Sequence, residues 1–271
     1  MNTEIESIKT IEDTECKTVS PIRQLEGMVS LHLLPNSNRH VVWFSCGAPS
    51  AVMVDIVLRE TPSAQIVRIW IGGEEEDNDR FMQDVENWQQ RKCEVIKSEE
   101  YQDHWEVIKK TRWINGVAGA RCTTELKKKV RFKYQRVDDV QYMGYTINEQ
   151  PRAKRLQESF PEVTWKFPLI EKGLTKEECA GIVLAHNIRL PRRYEMGFNN
   201  NNCRGCVKGG KGYWNKERIL EPDVFDKMAK LEREIGASCI KGVYLDELKP
   251  NEGRHEDFKI GCDFICQTYG E

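Results

Sequence analysis

The chain has 271 residues, 39% hydrophobic and 31% charged, with a formal net charge of -2. That length accommodates one domain with a large core, and the composition is that of a soluble globular protein. It excludes a membrane-spanning helix, since no apolar run approaches the roughly 18–20 residues needed, and it excludes nucleic-acid capture by bulk charge alone.

The opening, Met1–Ser20, is polar and acidic. It lacks the basic start and apolar stretch of a secretory signal, so a reducing cytoplasm is the expected location. Residues 1–38 carry little periodicity, end in Pro35-Asn36-Ser37-Asn38, and read as an N-terminal extension. A strand–helix rhythm then begins. His40–Ser45 is a β-forming apolar run, followed by a small-residue turn and a helix over Ala51–Glu60. Gln65–Ile71 predicts a second strand, ending at Gly72-Gly73, and Asn78–Gln90 a helix. Cys93–Lys97, Asp103–Arg112, Asp139–Tyr145 and Glu149–Ser159 continue as strand, helix, strand and helix. Such alternation implies βαβ units and a mostly parallel sheet, a Rossmann-like α/β sandwich. Its ligands bind beyond the carboxyl ends of the strands, near a switch in strand order.

After Pro168 the pattern weakens. Thr175–His186 predicts a helix with Thr175 as N-cap and Glu178 as capping-box partner. Asn199–Asn202 and the glycines that follow read as irregular, and Pro222–Ile235 as a last helix. The nucleotide-binding domain is therefore placed at 39–215. A C-terminal helical and cysteine-containing segment, 216–271, is expected to pack on that domain.

Ser45-Cys46-Gly47-Ala48-Pro49-Ser50 joins the first strand to the first helix. Small residues let the backbone curl so that N–H groups point inward, and the helix N-terminus adds partial positive charge. Ser45 and Ser50 can donate hydroxyl hydrogen bonds to phosphate or sulfate oxygens. Pro49 suits a first turn, where its missing N–H costs nothing. The loop lacks the Gly-Lys-Ser/Thr ending of a Walker A motif, and the spacing alone equally allows an ordinary strand–helix turn.

Ten cysteines in a reducing compartment imply buried thiols, metal ligands or reactive thiols. Cys16, Cys93 and Cys179 are isolated. Cys203-x-x-Cys206 is a metal half-site whose short loop lets both thiolates face one ion. Cys262 and Cys266 would complete a four-thiolate zinc site. Lys127, Lys128, Lys129, Arg131 and Lys133 form a basic run, and Glu74–Asp77 an acidic one. A solvated face is the plain reading of each, and a basic helix beside a phosphate site would also suit a polyanionic nucleotide. His104 is expected at an exposed or capping position. His255 could assist Cys262. Tyr213-Trp214-Asn215-Lys216 suits either core packing or stacking on adenine.

Several of these segments fall in an order that resembles the PAPS reductase family and its adenine nucleotide α-hydrolase-like relatives. The Ser45–Ser50 loop resembles the family's Ser-Gly-Gly-x-Asp-Ser, with Cys46 for a Gly and Pro49 for the Asp. Gly72-Gly73-Glu74 resembles its acidic loop, although Trp70 replaces the usual Asp. Arg121-Cys122-Thr123-Thr124-Glu125-Leu126-Lys127 resembles Arg-Cys-Cys…Lys, and Gly144-Tyr145-Thr146 with Glu149, Gln150 and Arg152 resembles Gly-x-Arg…Glu-Ser…Arg. Leu190-Pro191…Tyr194…Gly197-Phe198…Cys203-Arg204-Gly205-Cys206 resembles Leu-Pro…Tyr…Gly-Phe…Cys-x-x-Cys. Phage-type members share Asn-Asn-Asn-Asn-Cys and Lys-Gly-Gly-x-Gly-Tyr-Trp-Asn-Lys, here Asn199–Cys203 and Lys208–Lys216.

The resemblance implies an adenine-nucleotide site formed by Ser45, Cys46, Gly47, Ala48, Ser50, Gly72, Glu74 and Gly144, with Lys127 and Arg152 on anionic oxygens. It implies thiol-dependent reduction of an adenylylated sulfate, PAPS or APS, to sulfite, with Cys262 as nucleophile and a thiol reductant such as thioredoxin. The Glu-Cys-Gly and following His of such reductases are missing around Cys262. Iron–sulfur members carry Cys-Cys ahead of Cys-x-x-Cys at a spacing close to that between Cys122 and Cys203. Thr123 replaces the second Cys, so Cys122, Cys203 and Cys206 would hold a [4Fe–4S] cluster with one open iron, or a cluster closed by a distant thiol such as Cys262. Zinc remains open, because thiolates suit both. Two other functions stay open: ATP-dependent sulfur transfer to a tRNA or DNA, and a non-catalytic nucleotide sensor. No membrane partner is expected, and a homo-oligomer is possible.

Overall fold

A computed structural model describes residues 38–116 and 119–254. Five parallel strands form one sheet: β1 (His40–Trp43), β2 (Gln65–Trp70), β3 (Cys93–Lys97), β4 (Val140–Met143) and β5 (Thr164–Lys166), in the order β3-β2-β1-β4-β5. The chain builds outward from β1 to β3, then returns to the other side of β1 for β4 and β5. The switch in strand order therefore lies between β1 and β4.

Side chains alternate across the sheet as the two-residue period requires. Val42, Phe44, Ile66, Val140 and Tyr142 enter the larger core, on the face covered by α1 (Ala48–Glu60), α2 (Asp77–Gln89) and α8 (Lys176–Ala185). Val41, Trp43 and Val67 form a smaller cluster with Tyr134 on the opposite face. Helix α1 is buried through most of its length, from Ala48 to Val57, because the sheet and α8 enclose it. The architecture is α/β and Rossmann-like, as expected. No described helix is long and apolar enough to cross a membrane.

The remaining helices are α3 (His104–Thr111), α4 (Arg121–Thr123), α5 (Lys129–Tyr134), α6 (Gln150–Ser159), α7 (Pro168–Glu171), α9 (Arg192–Glu195), α10 (Lys211–Leu220) and α11 (Pro222–Ile235). A π-helical stretch, Thr124–Lys128, links α4 to α5. The last two helices build a separate core around Trp214, Phe225, Met228 and Leu231, and it packs on Trp105 and Ile108 of α3. On α11 the buried Val224, Phe225, Met228 and Leu231 recur at helical spacing, and Gly236 ends it in the left-handed region at φ 79°. Residue 215, the expected domain boundary, lies inside α10.

Most expected elements keep their places. Helix α1 starts three residues earlier than expected, because Gly47 serves as N-cap and Pro49 occupies the first turn. Thr175 caps α8 by accepting from the Glu178 N–H, and the Glu178 carboxylate accepts from the Thr175 N–H at 2.7 Å, completing the capping box. β5 and α10 appear where no regular element was expected. β5 is too short to show alternation, and α10 follows two glycines that read as loop.

Candidate functional site

Above the switch point lies a cavity of about 600 Å³. Its floor is the carboxyl end of β1 and β4, where Trp43, Phe44, Met143 and Gly144 line it. The β1–α1 loop forms one wall. Cys46 takes a left-handed conformation at φ 55°, which turns the chain into α1. The Ser50 hydroxyl donates to the Gly47 carbonyl at 2.8 Å and accepts from the N–H groups of Ser45 and Gly47, each at 3.2 Å. Its one proton is thus committed inside the loop, and the Ser45 hydroxyl donates to it at 3.2 Å, so both serines brace the turn and Ser45 would have to turn away from Ser50 to donate to an anion. A β-carbon on Gly144 would lie 3.1 Å from the Ser50 Cα, so any larger residue after β4 would push the loop back by a few tenths of an ångström.

Ser45, Gly47, Ser50, Glu74, Lys127, Gly144 and Arg152 all line the cavity. Cys46 and Ala48 are fully buried in the core beneath it, and neither they nor Gly72 lines it. Burial pushes the Cys46 thiol well above its ordinary range. The Cys46 carbonyl accepts from the Asn201 amide at 2.6 Å, and that amide also donates to Asn78 Oδ1 at 2.7 Å. The polar Asn199–Asn202 run, read as irregular from sequence, thereby closes the cavity over the loop. Tyr194 hydrogen-bonds the backbone of Ala48 and Asn201, and burial pushes its phenol up.

The lining is strongly cationic, with eight Lys and Arg side chains against two carboxylates, Glu74 and Glu149. Arg68, buried on β2, pairs with Asp79 at 2.6 Å and Glu74 at 3.3 Å. Arg152 pairs with Glu149 at 2.8 Å. Lys176 donates to the Asn199 carbonyl at 2.9 Å and to Asn200 Oδ1 at 2.7 Å. The π-helical stretch presents Thr124, Lys127 and Lys128 to the cavity; such i→i+5 turns recur at functional sites. Sequence reading had not singled out Arg68, Arg155 or Lys176, and it named Lys208 and Asn200–Asn202 only as parts of shared motifs, without a place in the site. Scattered along the chain, they converge only through the fold.

Lys127 joins this cavity to the cysteines. Burial alone would lower its pKa, but Cys203, Glu74, Cys206 and Cys122 together raise it. Cys122 and Cys203 pack against Ile71, Val107 and Leu126. Burial pushes up both thiols, against the pull of Lys127. A fourth thiol, Cys239, is buried just beyond α11, within electrostatic reach of Cys206 and Cys122. Among the described residues no three His, Cys, Asp or Glu side chains are arranged to hold a single ion. Cys262, Cys266 and His255 lie outside the described residues.

The Cys203–Cys206 loop is held from several sides. The Arg204 N–H donates to the Gly73 carbonyl at 2.9 Å, tying the loop to the turn after β2. The Cys206 N–H donates to the Tyr213 hydroxyl at 2.8 Å, and that hydroxyl donates to Glu217. Fully buried Arg193 bridges Glu217 and Glu221, and Arg204 reaches Glu221 at 2.6 Å. Tyr213 and Trp214 thus belong to this support and to the second core. His104 is buried, contrary to the exposed or capping position expected. Asp103 takes the cap of α3, accepting from the Glu106 N–H at 2.8 Å, while the imidazole turns inward against Trp105 and the Arg204–Gly205 backbone. No protein-family model matches the chain, and no curated protein matches it.

Proposed function

We propose that the chain is a PAPS-reductase-like enzyme that binds an adenine nucleotide in this cavity and reduces an adenylylated sulfate to sulfite. What carries the reading is one juxtaposition: a nucleotide-sized cationic cavity at the switch point, walled by a phosphate-loop turn and adjoined through Lys127 by three thiols. Ligands of open parallel sheets bind at such points. In this reading the Ser45 hydroxyl, Lys127 and Arg152 hold the anionic end of the ligand, and Glu74 orients Lys127 and Arg68.

The chemistry requires a thiolate, assigned to Cys262, to attack the sulfate sulfur. The S–O bond to the nucleotide phosphate breaks and the nucleotide leaves with the bonding pair. A second thiol, from a reductant such as thioredoxin, attacks the Cys262 Sγ of the S-sulfocysteine, breaking its S–S bond to the sulfonate. Sulfite departs and a disulfide remains, so sulfur gains two electrons and the two thiols lose two. The nearness of Cys122, Cys203 and Cys206 to Lys127 supports a second reading, ATP-dependent sulfur transfer to a tRNA or DNA. That reading needs the three thiols to hold a [4Fe–4S] cluster, an arrangement they do not have here.

The test is sulfite release from PAPS and from APS with dithiothreitol or thioredoxin, alongside Cys262→Ser. Sulfite from the wild type and none from the variant is expected. No sulfite, but AMP and pyrophosphate from ATP with a nucleic-acid substrate, would replace the first reading with the second.

A further inference from the structure

Cys203 and Cys206 stand at the two ends of a turn whose middle residues are Arg204 and Gly205. Gly205 takes a left-handed φ of 66°, as glycine does at the third position of a type II β-turn. Such a turn brings the Cα atoms of its first and fourth residues within about 7 Å, and a disulfide needs about 4.4–6.8 Å between them. The turn is held in that form. The Tyr213 oxygen lies 2.8 Å from the Cys206 nitrogen and 3.2 Å from the Cys203 carbonyl oxygen, so one atom spans both ends. Trp105 and Val224 pack against Gly205 from the second core. Both thiols are free and partly exposed, whereas Cys46, Cys179 and Cys239 are buried. Lys127 lies within electrostatic reach of both, and Lys208 of Cys206; reactive thiols sit in such electropositive, partly exposed places. Among the described residues no third ligand joins the pair around one ion. Two thiols at the ends of a preformed turn, without that third ligand, are arranged for exchange with each other.

We propose that Cys203 and Cys206 form a dithiol–disulfide redox centre, oxidised by a disulfide substrate and reduced again by a dithiol. Burial holds Cys203 in its thiol form, which makes Cys206 the attacking member. The Cys206 thiolate attacks one sulfur of the incoming disulfide, forms a mixed disulfide and expels one thiolate. Cys203 then gives up its proton, its sulfur attacks the Cys206 Sγ, and the second thiolate leaves. The pair loses two electrons and two protons, and the disulfide takes them up as two thiols. A dithiol such as thioredoxin or dithiothreitol reverses the exchange. Asn201 and Asn202, directly before Cys203, line the cavity, so the redox state is set at the edge of that site. The inference goes beyond sulfite release, and it is independent of what occupies the cavity.

Peptide mapping of the full chain, purified without chelator, tests it. The protein is equilibrated with oxidised glutathione, alkylated under denaturing conditions and cut with trypsin. Cleavage after Arg204 separates the two cysteines, so only a disulfide keeps the peptides Tyr194–Arg204 and Gly205–Lys208 joined. The joined pair should form in most chains, and dithiothreitol or thioredoxin should release it. Cys203→Ser should stop the exchange at the mixed disulfide and carry glutathione on Cys206. Cys122→Ser should leave the joined pair unchanged. Wild-type protein in which both cysteines stay alkylated throughout would overturn the proposal, as would either cysteine joined to the peptide that begins at Cys122. Bound zinc or iron that shields both thiols from oxidised glutathione would overturn it in favour of a metal site. None of these readouts involves sulfite or a nucleotide, so the proposed function and the redox centre stand or fall separately.

Discussion

At Gly205 two constraints coincide. Its φ is 66°, and a β-carbon there would lie 2.9 Å from Val224 and 3.0 Å from the Trp105 ring. Gly205→Ala should therefore destabilise the protein by about 2–3 kcal/mol, measured by urea unfolding, and shift the cysteines on either side of it. His104 yields a pH dependence. Burial lowers its pKa to about 4 from an ordinary 6.5, so the folded chain keeps it neutral where the unfolded chain binds a proton. Stability attributable to His104 is intact above pH 6.5 and falls as pH drops toward about 4, by up to about 3 kcal/mol. His104→Gln should flatten that part of the unfolding profile; an unchanged slope would contradict it. Residues whose chemistry is local were legible from sequence: the small loop residues around Gly47, Glu178 as a capping-box partner, the Cys203–Cys206 pair. Asn201 stood out only as part of an Asn run, and its contacts with Cys46 and Asn78 were not legible. They join segments far apart along the chain, and no local pattern encodes that.

Among the elements, α2 and α9 are tied by one carboxylate. Asp77 pairs with Arg80 at 2.7 Å and Arg189 at 3.0 Å, and accepts from the Arg192 N–H at 2.9 Å. Burial would raise its pKa, but these donors outweigh it and hold it below the ordinary 3.8. The stabilisation is present above that value and lost as pH falls through the depressed folded one. Asp77→Asn should cost about 1–2 kcal/mol at pH 7 and weaken nucleotide binding, because α9 carries Tyr194 to the loop; unaltered urea midpoints and affinity would refute this. Strand and helix periods identified most of these elements, since apolar faces repeat where the sheet buries them. They failed at β5, three residues long, and at α10, where the Trp214 side and Glu217 are buried together. A polar residue satisfied inside a core erases the amphipathic signal.

For the whole molecule, the strand order matters most. Placing β1 at the centre and reversing to β4 opens the sheet's carboxyl edge where the Ser45–Ser50 loop and Gly144 meet. The second core, built by α10 and α11 on α3, brings Cys239 and the Tyr213–Glu217–Arg193 network beside the Cys203–Cys206 loop. Chemistry-bearing residues from four separated segments thus share one neighbourhood, with Lys127 as the common point. The central claim is that this cavity holds an adenine nucleotide by its anionic end, and half-exposed Lys127 offers a variant that should not disturb folding. The most direct test is calorimetric titration of wild type and Lys127→Met with adenosine 5′-phosphosulfate. The account predicts one site per chain in the wild type and at least about tenfold weaker binding in the variant. No binding, or equal affinity in both proteins, would contradict it.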